Sequence, residues 1–535
     1  MPFRSTNIPF SETGQFSKLF LDYVHDAERV RPFYTHRSDL QGFADALREL
    51  QSQSFDRETL AAVFEEQEAE QLAKRPELAR RIGSLRSANT FTVCTGHQLC
   101  IFTGPLFFIY KIISVINLAE ALKKQFPQND FVPVYWMASE DHDFEEISSV
   151  NLFGKKISWQ AEAGGPVGRM STASLQPVLA ELKTVLGDSP AAQELFAVMA
   201  AAYDGKVSLA VATRRLAHTL FGKYGLLILD GDDARLKKIF LPQISEELLN
   251  QPTEKTVLQE SAALEKAGYA AQVNPRPVNL FYHSDTSRER IEKNGDQYRV
   301  LGTDLVFSKA EITDTAEKHP ERFSPNVVTR PLYQQMILPN IAYVGGPGEL
   351  AYWLQYKTMF GEKKLFFPVL VPRNFAMIID KGSQERMQKL GIAVPDLFGD
   401  TEELVKNYVR KNSSATPDLS EEKEKLKSVF AAVISKATAV DATLQKSAEA
   451  ELQKSINALD AFESKLLKAE KQKHETATSQ LRKLKEKFLP GGSLHERHDN
   501  FMPYALAGGY EKWIDELKEA LQPFHYDMLL LEVSG

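Results

Sequence analysis

The stretch FTVCTGHQLCIFTGPLFFIYKIISVINLAEALKKQFPQNDFVPVYWMASEDHDFEE, from Phe91 to Glu146, decides the fold class. FTVC is a short β-type run that meets TGHQ and then TGP. LFFIYKIISVINLAEALKKQF repeats apolar residues at helical spacing, and FVPVYWMAS reads as a second strand. Strand, loop, helix, strand makes a βαβ unit, and a βαβ unit implies a parallel sheet. Further strand candidates are GLLILD at 225–230, IAYVGG at 341–346 and FFPVLVP at 366–372. Between them RERIEKNGDQYRV reads as a hairpin around Asn294-Gly295, inserted on the α/β core.

Working outward, residues 1 to about 88 read as helical, through LQGFADALRELQSQ and RETLAAVFEEQEAEQLAKRPELARRIGSL. On the other side, Asp418 to Leu489 contains neither Pro nor Gly and is bracketed by Pro417 and Pro490. Leu444, Leu452, Leu459, Leu466, Leu481, Leu484 and Phe488 mark an apolar seam with a gap near Lys473, which is coiled-coil texture. One continuous helix would reach ~108 Å at ~1.5 Å per residue. A helical hairpin is therefore expected, broken near Val440-Asp441-Ala442-Thr443, with Asp441 capping the second helix. After PGGS come HERHDNFMPY, an amphipathic helix YEKWIDELKEAL and a closing apolar run, YDMLLLEV. The expected organisation is a helical segment over 1–88 packing on the core and the α/β core over 89–385. A helical coiled-coil arm follows over 386–490, then a segment over 491–535 that returns to the core.

Composition bounds the function. A chain of 535 residues exceeds one ordinary core. With 64 Lys+Arg against 71 Asp+Glu the formal charge is −7, which disfavours a general nucleic-acid binder. The two cysteines, Cys94 and Cys100, exclude a disulfide scaffold and a four-cysteine zinc site. The N-terminal residues lack a signal-peptide pattern, and no apolar run approaches the ~18 residues that span a bilayer. A soluble cytoplasmic protein is expected, with neither nucleic acid nor membrane as partner.

Chemistry concentrates at three turns. Thr95-Gly96-His97-Gln98 follows the first strand, and Thr103-Gly104-Pro105 opens the next helix. Small residues there allow close approach to the backbone, and a helix N-terminus suits phosphate, although a tight structural turn reads equally well. Glu140-Asp141-His142-Asp143 ends the second strand, where open α/β sheets bind ligands. Its acids and imidazole suit a general base, ammonium recognition or metal ligation; the bland alternative is a solvated turn with Asp141 or Asp143 capping a helix. Gly345-Gly346-Pro347-Gly348-Glu349 is the third, again a strand-to-helix turn with exposed N–H groups. Asp230-Gly231-Asp232-Asp233 could hold a cation, but capping the following helix explains it more simply. Cys94 and Cys100 are read as buried packing residues.

TGHQLCIFTGPLFFIYKIISVINLAEAL, PVYWMASEDHDFEEI, SPNVVTRPLYQQMILPNIAYVGGPGELAYW, PVLVPRNF and LHERHDNFMPY together resemble the cysteine ligase family of bacillithiol biosynthesis over nearly the whole chain. The resemblance implies a Rossmann-like nucleotidyl-transferase core with connecting insertions, related to class I aminoacyl-tRNA synthetases, and a coiled-coil dimerisation arm. It implies a ligase that joins cysteine to the amine of glucosaminyl-malate, with ATP as the expected driving nucleotide and no metal ligand assigned. Thr95, Gly96, His97 and Gln98, with Thr103 and Gly104, would line the nucleotide or substrate side, and Lys111 would approach phosphate. Glu140 would bind substrate beside Asp141, His142 and Asp143, which would orient the amine or act as base. Gly346, Gly348 and Glu349 would close the opposite wall. Arg330, Arg373 and Asn374 are candidates for the malate carboxylates. The competing readings are another ATP-dependent ligase or nucleotidyl transferase on the same core, and a non-catalytic coiled-coil scaffold.

Overall fold

A computed structural model describes residues 3–162, 164–284, 286–413 and 418–533; Pro417, one of the two brackets of the arm, lies outside them. The chain forms two compact units. The first comprises Met1–Ser11, Gln15–Ile378 and Glu496–Gly535, and the second Glu12–Gly14 and Ile379–His495.

The first unit is built on β1 (Thr90–His97), α1 (Phe107–Gln125), β2 (Asp130–Met137), β3 (Leu227–Asp230), α2 (Ala234–Asn250), α3 (Arg330–Ile337), β4 (Asn340–Gly345), α4 (Pro347–Trp353) and β5 (Val369–Pro372). The five strands lie in the order β5-β4-β1-β2-β3. Every neighbouring pair is parallel, from Thr90↔Asp130 to His97↔Met137 between β1 and β2, and at Tyr343↔Cys94 between β4 and β1. The order therefore reverses between β1 and β4, which opens a crevice at their carboxyl ends. β1 is buried along nearly its whole length, as expected of a parallel strand covered on both faces. α1 is buried continuously from Phe108 to Ala119. Asn117 and Ser114 are accommodated there by hydrogen bonds: Asn117 Nδ2 donates to Lys518 O at 2.8 Å, and Ser114 Oγ donates to Asn374 Oδ1 at 2.9 Å.

The expected hairpin is present, with Asn294 opposite Gln297 and Gly295 at φ 60°. It belongs to a five-stranded antiparallel sheet that also takes in Leu280–His283, Val306–Ser308 and Phe323–Pro325. Three helices between β2 and β3, Gln176–Leu186, Pro190–Ala202 and Leu209–Phe221, went unread in the sequence. The N-terminal region needs a correction. Helices such as Leu40–Leu50 and Arg57–Gln67 form, but Phe3–Pro9 is a strand, antiparallel to Asp527–Val533. Only Ile8 of that strand is buried, so it carries no alternation to read; its partner strand at the far end of the chain dictates it.

In the second unit Thr401–Asn412, Ser420–Val440, Leu444–Lys473 and Glu475–Phe488 are helices. The break falls at 441–443, as the sequence suggests. Asp441 does not cap the second helix directly: Thr443 is the N-cap, and Asp441 Oδ1 accepts from Thr443 N at 2.8 Å, fixing the turn. A second break at His474 coincides with the gap in the apolar seam. Leu481, Leu484 and Phe488 are buried, Leu459 and Leu466 are half-buried, and Leu444 is exposed. Among the described residues no helix is long and apolar enough to cross a membrane.

Candidate active site

The β1–β4 crevice brings Gly96, Lys111, Arg330, Gly346 and Glu349 of the sequence-derived candidates together. Lys111, one turn into α1, is 2 % exposed. Its Nζ donates to Gly96 O and to both carboxylate oxygens of Glu349, at 2.9 and 2.8 Å. Glu349 also accepts from Tyr343 Oη at 2.7 Å and from Gly346 N at 2.9 Å, which ties its carboxylate to the N-cap of α4. Burial by itself would raise the Glu349 carboxyl; Lys111, the Gly346 N–H and the Tyr343 hydroxyl outweigh it and hold the group below the usual carboxylate range. Gly96 has to be small: a Cβ there would stand 3.3 Å from Tyr343 Oη, with Arg330 Nη1 also near at 3.9 Å. Arg330 donates from Nη1 to Gln334 Oε1 at 2.9 Å and lies over the Tyr343 ring at 5.7 Å. Its Nη2 is buried and makes no hydrogen bond among the described residues. Gly348 faces open space.

The other candidates of β1 divide by role. Thr95 Oγ1 donates to Val344 O at 2.7 Å and laces β1 to β4. His97 is buried against Phe107 and Phe108, its Nε2 has no partner among the described residues, and burial with Lys111 and Arg373 nearby pulls its pKa far down, so the ring is neutral. Gln98 Nε2 donates to Glu146 Oε2 at 2.7 Å. Phe102, Thr103 and Gly104 all have positive φ, at 53°, 75° and 63°. A Cβ on Gly104 would fall 2.5 Å from Cys100 Cβ, so only glycine fits. Asn500 holds this unusual turn, donating from Nδ2 to Phe102 O at 2.8 Å and Gly104 O at 2.7 Å. Arg373 and Asn374 are buried and engaged. Arg373 pairs with Glu496 and donates to Asn374 O at 2.9 Å; Asn374 Nδ2 donates to Gln522 O at 2.8 Å. Cys94 and Cys100 are free and buried, and burial pushes both thiols up to about 12, so they remain protonated.

The EDHD turn gathers at the ends of β2 and β3. Glu140 is buried and paired with Lys237 of α2. Asp141 Oδ1 accepts from His142 N at 2.8 Å and lies 3.9 Å from Arg288 Nη1. His142 Nδ1 is 2.9 Å from Arg288 Nη1, with its ring beside Phe281. Asp143 is the N-cap of the short helix Phe144–Ile147, accepting from Glu146 N at 3.1 Å. Asp230 accepts from Ser139, and Asp233 caps α2. Asp232 is instead held by Arg169 in a two-point contact at 2.8 and 3.0 Å. Sequence reasoning missed Tyr343, Arg169, Lys237, His283 and Arg288. Each is an isolated residue in its own segment, and only the fold gathers them.

A five-stranded parallel sheet with a ligand crevice at its switch point, in a chain that continues into long paired helices, defines a Rossmann-like α/β protein with a coiled-coil domain. Two family models match in succession: "Bacillithiol biosynthesis BshC, N-terminal Rossmann-like domain" over residues 3–374 and "Bacillithiol biosynthesis BshC, C-terminal coiled-coil domain" over 376–533. The chain belongs to the BshC family. Relatives bearing the name "Putative cysteine ligase BshC" include one from Cytophaga hutchinsonii, 40 % identical over 98 % of both chains. Another, from Flavobacterium psychrophilum, is 41 % identical over 96 % of this chain and 97 % of its own. A more distant one from Salinibacter ruber is 33 % identical over 96 % of each.

Proposed function

We propose that this protein is the ligase that joins the carboxyl of cysteine to the amine of glucosaminyl-malate, the last step of bacillithiol biosynthesis, using ATP. The observation that carries the reading is the β1–β4 crevice, where a buried ammonium (Lys111), a guanidinium nitrogen without a partner among the described residues (Arg330 Nη2) and a glycine beside that guanidinium (Gly96) converge. Such a site suits an anionic, oxygen-rich ligand. Amide formation from a carboxylate must expel an oxygen, and the nucleotide supplies the group that carries it away. The amine then attacks the activated carbonyl and loses a proton. In this reading Arg330 takes a malate carboxylate, Lys111 balances charge on the leaving group, and Asp141 with His142 receives the amine. Arg373, Asn374 and Asp143 act by holding the walls, because their polar atoms are already engaged. Reconstitution with cysteine, glucosaminyl-malate and ATP, read by mass spectrometry, tests this. Bacillithiol should form, and Asp141→Ala should lose turnover with unchanged melting. Absence of product, or bacillithiol levels unchanged in a deletion strain, would rule the reading out.

The same reading makes the protein a cytoplasmic homodimer paired through the coiled-coil domain. What supports pairing is apolar surface left uncovered on that domain: Val429 is 60 % exposed and Phe462 53 %.

A further inference from the structure

Beyond the carboxyl ends of β2 and β3, Glu140, Asp232 and His283 each bring one ligand atom to within 4.8 Å of the others. They come from three separate segments: Glu140 follows β2, Asp232 follows β3, and His283 ends the strand Leu280–His283. His283 is 2 % exposed, and neither of its ring nitrogens has a hydrogen-bond partner among the described residues. A buried polar atom left unpaired is costly, so an orphaned imidazole among carboxylates points to a missing ligand.

The carboxylates are already oriented. Lys237 holds Glu140 and also donates to Phe323 O at 3.0 Å, while Arg169 grips Asp232 from two nitrogens. Ligating carboxylates and imidazoles are commonly held by such outer contacts. We propose that Glu140, Asp232 and His283 form a binding site for a divalent first-row metal ion. A mixed oxygen and nitrogen set suits Mn²⁺, Fe²⁺, Co²⁺ or Zn²⁺. Three protein ligands leave coordination positions open for water or a ligand oxygen. The site requires no substrate, so it stands or falls separately from the ligase reading.

The test is electron paramagnetic resonance on the full-length protein, stripped with chelator and titrated with Mn²⁺ alone. One saturable site per chain is expected, with ¹⁴N coupling from the imidazole in the pulsed spectrum. His283→Gln should abolish the nitrogen coupling, and His283→Gln and Asp232→Asn should each weaken binding about tenfold or more. Melting in the absence of metal shows whether each variant is folded. Lack of a saturable site, a wild-type signal without nitrogen coupling, or full affinity in both folded variants would overturn the proposal. Should neither variant fold, the wild-type nitrogen coupling decides alone.

Discussion

Glu349 gathers more of the crevice than any other side chain, accepting from Lys111, Tyr343 and Gly346. Removing one member of a buried ion pair costs about 3–5 kcal/mol, because the other charge stays buried. Glu349→Gln should therefore destabilise by roughly that amount at neutral pH and depress turnover. The sign of its pH dependence follows from the lowered carboxyl pKa. The stabilisation is fully present above the unfolded value of about 4.3 and is lost as pH falls through the folded value. Denaturant melts from pH 7 to 3 should show wild type and Glu349→Gln converging at the acid end; a constant gap would contradict the ion pair. The glycine-rich turns were legible in the sequence because each sits within a few residues of a strand end, and Lys111 because it is a cation one turn into the helix that follows. Tyr343 was not singled out, since a tyrosine inside a buried strand looks like core. His283 was equally silent, a lone histidine at the end of a strand whose neighbours Glu140 and Asp232 come from separate, earlier segments of the chain.

Among the elements, the long helices were the most legible, since a run without Pro or Gly can only be broken at a few polar residues. The turn at 441–443 and the second break at His474 both fall where the apolar seam fails. The strand Phe3–Pro9 was illegible for the opposite reason: its side chains are mostly exposed, and its register is fixed by Asp527–Val533. The helices at 176–221 lacked any motif to draw attention to them. For the coiled-coil domain the testable matter is what covers Leu459 and Leu466, which stay half-buried. Replacing both by Lys should convert the proposed dimer to a monomer whose first unit melts normally. Sedimentation that finds a monomeric wild type, or an unaltered dimer in the double variant, would count against pairing through these helices.

At the scale of the whole molecule, the parallel sheet could be read from one βαβ unit, but its strand order could not, because nothing local says that β4 lies beside β1 on the side away from β2. The first and last strands meet in a three-stranded sheet with Phe375–Ile379, in the order Phe3–Pro9, Asp527–Val533, Phe375–Ile379. The C-terminal strand is the middle one, with Leu529 and Leu531 buried. Deleting residues 527–535 should leave two unpaired edges, and the truncated chain should aggregate on expression. A soluble truncated protein with wild-type melting would show that the closing strand is dispensable.

Asn500, which holds the turn at Phe102, Thr103 and Gly104, is separated from that turn by almost 400 residues of chain. During synthesis the turn leaves the ribosome long before its clamp exists. The helices of the second unit are complete before Asn500 is made, so the paired helices can form while the crevice is still unset. A chain cut short anywhere before residue 500 must form that turn without the two hydrogen bonds that Asn500 donates to it.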